Sequence, residues 1–395
     1  MKTACLKAEW EPKADFRLGS KDIEGKRTYL GSKVWRNPGM EMVEKEIPVP
    51  GPTEVLVKVK ACGICGSDVH MRQADSDGYI FYPGLTAFPC TLGHEFSGVV
   101  VEVGANAINK RTGKKFDLGE AVCAEEMIWC SHCKPCADGY PNHCENLEEI
   151  GFSIDGAYAE YIKIDARYVW SLEQLREKYG EEKMWLLGSL VEPTSVAYNA
   201  VIERGGGIRP GQHVVILGGG PIGAAACAIL RSAGATSVIL SEPSKPRRNM
   251  ALSLGATHAI DPTKVNVSET VLEITKGAGA DLILEATGLP SLVWPDIEKI
   301  IWEGRTINST VVIVARADDK IPLTGEVLQV RRASVVGSQG HSGHGTFPNV
   351  ISAMSSGMDV SPMITKQITL DEVDKNLVSL QTDRNEVKIT ITDFK

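Results

Sequence analysis

Residues 214–230 read VVILGGGPIGAAACAIL, and the reading of this stretch decides the fold. As one apolar segment it is shorter than a comfortable membrane span, and Gly218, Gly219, Gly220 and Pro221 interrupt it. As a buried strand, a tight turn and a helix, every residue in it has a use. Gly218, Gly220 and Gly223 form G-x-G-x-x-G. The first glycine permits the turn, the second lets backbone approach a pyrophosphate, and the third lets helix pack on strand. Amides at the helix start, around Pro221 and Ile222, then face the phosphates, with the positive end of the helix dipole behind them. Glycine-rich turns are common, so context matters. Here a strand precedes, a helix follows, and Glu242 ends the next strand roughly 20 residues past Gly220. A carboxylate there accepts bonds from the adenosine ribose and repels a 2′-phosphate, which favours NAD over NADP. Lys245, Arg247 and Arg248 lie close by, and Arg247 is a candidate contact to the cofactor. The commoner fate of such a basic run is a solvated first turn of helix.

The pattern continues downstream. SVIL (237–240), DLILEATG (281–288), TVVIV (310–314) and SVVG (334–337) alternate with helical stretches. That alternation predicts βαβ units and a parallel sheet over 188–337. Upstream, EVLVKVKA (54–61) alternates apolar and polar residues, FSGVVVEV (96–103) ends at Gly104, and proline and glycine punctuate heavily. This half reads as many short strands joined by turns. The tail ends in VKITITDF (387–394), a strand-like run expected to rejoin the first domain, which would then comprise 1–187 and 338–395. Residues 11–39 are polar and glycine-rich, and their role is not readable.

A chain of 395 residues fits two domains. Hydrophobic residues at 43% and charged ones at 23% fit a soluble globular protein. A net charge of -8 provides no basic field for a phosphate backbone, which argues against nucleic acid as a partner. The opening MKTACLKAEWEPK has charges where a signal peptide needs an apolar core. A soluble, cytoplasmic protein without membrane attachment is the expectation.

Four of the ten cysteines crowd into Cys130-x2-Cys133-x2-Cys136-x7-Cys144. Four thiolates close a tetrahedral zinc site with no open position, so a structural ion in a lobe at 130–144 is expected. An iron–sulfur cluster or a disulfide pair are the alternatives. A second constellation is dispersed: Cys65 in GICGSDVH (63–70), His94 and Glu95 in LGHEFSG (92–98), and Glu192 in LVEPTSVAYNA (190–200). Singly, these are a buried thiol, a core histidine and an acidic helix-start residue. Together they supply thiolate, imidazole and carboxylate, the inventory of a catalytic zinc site with one position open.

GICGSDVH, GHEFSGVVVEVG, the four-cysteine lobe and LGGGPIG stand in the order and spacing of the zinc-containing medium-chain dehydrogenases. The chain resembles that family from about Met40 to its end. The resemblance implies an α/β architecture: a GroES-like, mostly-β catalytic domain interrupted by a Rossmann doubly wound parallel-sheet domain, with the active site in the cleft between. It implies Cys65 and His94 as catalytic zinc ligands. Glu192-Pro193 matches the sorbitol-, butanediol- and threonine-dehydrogenase-like branch, in which Glu95, Glu192 or a water completes the shell. Ser67 and His70 match the family's proton relay, although His70 alone reads as a surface histidine. The implied reaction has zinc acidify a substrate hydroxyl and the alkoxide carbon deliver hydride to NAD. Glu285–Gly288 and Gly337–Gly340 would hold the nicotinamide edge. The long segment 11–39 and the loop Gln73–Pro89 narrow the resemblance to members acting on a polyol or cyclitol. Two zinc ions per subunit and a dimeric or tetrameric assembly come with it. Simpler diols or threonine as substrate, and a catalytically silent NAD- and zinc-binding scaffold, are the competing readings. His341 and His344, in GSQGHSGHG, are expected to be solvent-facing loop residues.

Overall fold

The glycine turn at 218–223 folds as its sequence demands in a computed structural model of the protein, which describes every residue except Asp318, Ser342 and His344. His344, singled out above, therefore lies outside the described residues. The buried strand His213–Leu217 leads through Gly218 (φ +104°) into the helix Pro221–Ser232. A Cβ on Gly223 would stand 1.9 Å from the Gly218 carbonyl oxygen, so only hydrogen fits there. Six parallel strands form the sheet, in the order His258–Ile260, Ser237–Ser241, His213–Leu217, Leu282–Glu285, Thr310–Ile313, Ser334–Gly337. The first strand in sequence is central, with successors added outward on either side. That reversal is the switch point at which open α/β sheets bind ligands. Val215, Leu217, Ile239, Ile283 and Val311 pack against Trp294, Ile297 and Ile300 of the helix Pro290–Glu303. Burial on both faces explains why these strands read as continuous apolar runs.

This sheet belongs to a compact unit of Pro193–Met363 with Arg384–Val387. The sequence boundary at 188 falls near its start. The expected return at 338 is corrected: 338–363 stays with the parallel sheet. Asn199 holds it there, its side-chain amide donating to the carbonyl oxygen of Gly340 at 2.9 Å and to the Ser338 hydroxyl at 3.3 Å. Such long-range polar ties are not visible as periodicity.

The other unit comprises Met1–Glu192, Ile364–Asp383 and Lys388–Lys395. Its hub is the strand Glu54–Gly63, which pairs antiparallel with Glu95–Val103, Tyr161–Asp165 and Lys388–Asp393. The C-terminal strand also runs parallel to Ile364–Thr369. The apolar run at the chain's end thus completes the first sheet. Val55, Val57, Val59, Phe96, Val100, Val122 and Ile391 fill its core. Strands Met127–Ile128 and Glu148–Glu149 pair at the neck of the cysteine lobe.

Residues 11–39 acquire a role in this unit. Arg27 pairs with the Glu148 carboxylate and donates to the Leu147 carbonyl at 2.8 Å. Gly31 N–H donates to the Gly84 carbonyl at 3.1 Å, and Arg36 Nε to that of Asp77 at 2.7 Å. The segment braces both the cysteine lobe and the loop Gln73–Pro89. Among the described residues, no helix is long and apolar enough to cross a membrane.

Candidate active site and metal centres

Strand pairing brings the dispersed donors together. Glu54–Gly63 runs into Cys65, which caps the helix Gly66–Arg72, and Gly63 lies opposite Glu95 in the neighbouring strand. Cys65, His94 and Glu95 consequently place one ligand atom each within 4.8 Å of one another. Burial pushes His94 down, but Asp68, the Cys65 thiol and Glu192 outweigh it and hold the ring well above its ordinary pKa. A proton shared with Cys65 takes up the positive charge these donors favour, and a cation fits the same demand. Asp68 is fully buried and accepts from the Cys65 N–H at 2.9 Å and from the Tyr158 hydroxyl at 2.8 Å. Its other oxygen faces His94 Nδ1 at 3.8 Å, and neither atom has a hydrogen-bond partner. A carboxylate on that side orients the ring and leaves Nε2 for a metal.

The two carboxylates left open by the sequence differ in setting. Both oxygens of Glu95 accept from Lys388 Nζ, at 2.7 and 2.5 Å, and Lys388 also donates to the Ile64 carbonyl at 2.9 Å. Each side chain of the pair is 1% exposed. Burial pushes Lys388 down, but Glu95 more than restores it, so the pair is ionic. Gly63 makes room for it, since a Cβ there would stand 2.2 Å from Glu95 Oε2. Glu192, buried in the first turn of the helix Val191–Tyr198, acts electrostatically on both His94 and Lys388. Another carboxylate, Glu126, lies with an oxygen within 4.8 Å of Glu192's. Burial pushes it up to about 7, with His94 pulling back. Ser67 and His70 share one face of the helix Gly66–Arg72. The Ser67 hydroxyl is buried and without a hydrogen-bond partner, and His70 is exposed.

In the lobe, the four sulfurs of Cys130, Cys133, Cys136 and Cys144 lie within 4.8 Å of one another. Cys133 and Cys144 stand 3.8 Å apart. Ligands about 2.3 Å from one tetrahedral zinc stand about 3.8 Å apart, whereas bonded sulfurs are about 2.05 Å apart. All ten cysteines are free thiols. The spacing fits one ion rather than a cluster of several. Backbone amides supply the outer contacts: Cys130 N–H to Cys144 Sγ at 3.3 Å, Cys133 N–H to Cys130 Sγ at 3.4 Å, and Asn146 N–H to Cys144 Sγ at 3.3 Å. The His132 amide, then the Asn146 side chain and the Cys133 amide, draw the Cys130 thiol down to about 5. Burial instead pushes the Cys136 thiol up to about 12 and raises Cys144 as well, so the lobe by itself favours a thiolate at Cys130 but not at those two.

In the parallel-sheet unit, a Cβ on Gly220 would meet nothing within 4 Å, so the helix start is open where a pyrophosphate would lie. Glu242 is buried and accepts from the Gly219 N–H at 2.7 Å and the Ser244 N–H at 2.8 Å. It thereby anchors the turn as well as ending its strand. Arg247 donates to the Glu386 carbonyl at 2.8 Å, and Arg248 pairs with Asp261 at 3.0 Å. These arginines are tied to the protein rather than loosely solvated. Glu285 is fully buried and accepts from the Thr287 and Gly288 amides at 2.7 and 3.2 Å. The solvent-facing expectation for His341 is corrected: it is fully buried, edge-on to Phe347 at 4.9 Å.

Two family profiles match the chain: "Alcohol dehydrogenase GroES-like domain" over residues 51–174 and "Zinc-binding dehydrogenase" over 221–356. A scyllo-inosose 3-dehydrogenase of Thermotoga maritima is 65% identical over 394 residues, covering 99% of each chain. The chain belongs to the zinc-binding dehydrogenases. An L-threonine 3-dehydrogenase of Caldanaerobacter subterraneus is 34% identical over 349 residues, covering 87% of this chain and 93% of that protein. A solved Thermotoga maritima structure, provisionally described as an alcohol dehydrogenase, superposes with a TM-score of 0.97 at 65% identity, covering 99% of this chain and all of that one. This dehydrogenase therefore has the GroES-like and parallel-sheet pair of domains, and zinc and a nicotinamide nucleotide are its cofactors.

Sequence reasoning missed three side chains around the dehydrogenase's dispersed donors. Lys388 gave the best available signal: a lysine opening an apolar strand, buried to 1%. Asp68 lies inside GICGSDVH, one residue from Ser67 and two from His70. Glu126 belongs to AVCAEEMIW, where two acids interrupt an apolar run. Buried carboxylates are rare enough for that interruption to be a signal.

Proposed function

We propose that this dehydrogenase oxidises a secondary ring hydroxyl of a cyclitol, scyllo-inosose, with NAD as acceptor, as a step in myo-inositol breakdown. The observation that carries this reading is 65% identity over 99% of both chains to the Thermotoga maritima enzyme of that name. Zinc would supply Lewis acidity towards the reacting hydroxyl, and NAD would take the hydride. Cys65 and His94 would hold the catalytic ion with Glu192 or Glu95. Glu95 has an oxygen within 4.8 Å of the Cys65 and His94 donor atoms but is engaged by Lys388 through both oxygens, whereas Glu192 acts on His94 electrostatically, so either carboxylate can complete the shell. Ser67, its hydroxyl buried and without a bond, would take the proton that leaves the substrate and pass it towards His70. Cys130, Cys133, Cys136 and Cys144 would hold a second, structural ion. Gly218, Gly220, Pro221, Ile222 and Gly223 would cradle the pyrophosphate. Glu242 would meet the ribose and favour NAD, with Arg247 beside it. A homodimer or homotetramer in the cytoplasm completes the proposal.

Initial rates with NAD on inososes, inositols, linear polyols and threonine test the substrate. The highest kcat/KM is expected on an inosose. Turnover confined to linear polyols or threonine would overturn the cyclitol assignment. Light scattering reads the assembly and elemental analysis the two ions.

A further inference from the structure

Glu126 has no role in anything said so far, yet it is buried beside the metal donors. It lies between the strands Ala121–Ala124 and Met127–Ile128, in the stretch that leads into the cysteine lobe. Its neighbour Glu125 is also buried, and the two have different partners. Glu125 accepts from the Trp170 indole at 2.8 Å and faces Lys110 at 4.0 Å. Glu126 lies within 4.8 Å of Glu192 and close enough to His94 to feel its charge. Charge balance does not call for it at the metal. A divalent ion held by Cys65 and His94 would be neutralised by the Cys65 thiolate with one carboxylate of Glu95 or Glu192, and Lys388 already pairs with Glu95.

We propose that Glu126 is a specificity-determining residue whose carboxylate accepts hydrogen bonds from substrate hydroxyls neighbouring the one that is oxidised. This deepens the proposed function and rests on its assignment of Cys65, His94 and Glu192 to the catalytic centre. A polyhydroxylated ring offers donors on the carbons flanking the reacting one, and a buried carboxylate is a strong acceptor for them. A substrate with one hydroxyl supplies no such donor. A site built to bond a hydroxyl discriminates strongly against an analogue lacking it, because its own polar group then goes without that partner.

The test compares wild type, Glu126→Gln and Glu126→Asp on scyllo-inosose and on cyclohexanol, a ring of the same size with a single hydroxyl, read as substrate or as competitive inhibitor. Glu126→Gln is expected to raise KM for the inosose about 10- to 100-fold, with kcat changing far less. Its KM or inhibition constant for cyclohexanol should stay within about threefold, and Glu126→Asp should recover part of the inosose binding. Zinc content and melting temperature are read on each variant. An equal loss on both rings would overturn the proposal, as would loss of the catalytic zinc, which would make Glu126 a ligand. Should wild type ignore inososes, the substrate assignment fails by itself. The Glu126 comparison then runs on whichever polyhydroxylated compound is turned over, against its single-hydroxyl analogue, and the same outcomes decide it.

Discussion

The mostly-β unit contains two sulfur-bearing centres that are built in opposite ways. The cysteine lobe draws all four donors from Cys130 to Cys144, on short turns with only Met127, Cys133, Cys144 and Leu147 as a buried cluster. Its apolar contacts are few, so an ion bound there would supply much of its order. The Cys65–His94 centre draws its donors from a helix start and the start of one strand lying on the main core, where Phe96, Val59 and Cys62 are buried at 3% exposure or less. Here the fold positions the donors before any ion arrives. On this reading one centre would be held together by its metal, and the other would hold a metal ready for chemistry.

Single substitutions can break this contrast. The largest effect on activity is expected from Cys65→Ser. It should lower kcat/KM by more than about a thousandfold, if the ion supplies several kcal/mol of charge stabilisation, while the melting curve hardly moves. Cys133→Ser should do the reverse in kind. Unfolding free energy should fall by several kcal/mol, out of an ion-binding contribution on the order of 10 kcal/mol, and activity should follow the folded fraction. Equal melting losses in the two variants would erase the distinction.

What could be read from the chain follows the same division. The cysteine lobe, the glycine turn and the parallel sheet are local or periodic patterns, so their donors and strands were visible as spacing. Cys65, His94 and Glu192 were found only because each stands in a motif. The residues that support them are long-range in sequence: Lys388 reaches Glu95 across most of the chain, and Tyr158 reaches Asp68. Neither leaves a periodic trace. The placement of 338–363 and the burial of His341 escaped for the same reason, since Asn199 and Phe347 hold them by tertiary contacts.

Lys388→Met tests whether the second centre is pre-formed. It leaves Glu95 charged and buried without its partner, which costs about 3–5 kcal/mol in comparable pairs. Replacing both, as Glu95→Gln with Lys388→Met, should return much of that loss in denaturant titrations. No recovery would mean that Lys388 acts by packing. Gly63→Ala attacks the same pair through space, since the added methyl carbon would collide with Glu95 Oε2. It should destabilise by about 1–3 kcal/mol, as overpacking does.

An ion pair at the nucleotide turn sharpens the comparison from its weak end. Arg248 and Asp261 stand 3.0 Å apart near the surface of the parallel-sheet unit. Bonds from Thr263, first of all, and then the charges of Arg248 and Lys264 hold the Asp261 carboxyl below its ordinary 3.8. A carboxyl lowered in the folded state adds stability above its unfolded pKa and loses it as pH falls through the folded value. Asp261→Asn should therefore lower the melting temperature slightly at pH 7, and the gap to wild type should close as the pH falls from the ordinary 3.8 through the lowered folded value. Salt should shrink that gap, because a pair with each side chain 13% exposed is partly screened, while leaving the deficit of the variant at the fully buried Lys388 nearly unchanged. A salt-sensitive deficit in Lys388→Met would show that water reaches the Glu95 pair, and the catalytic centre would then be far less enclosed than its burial implies.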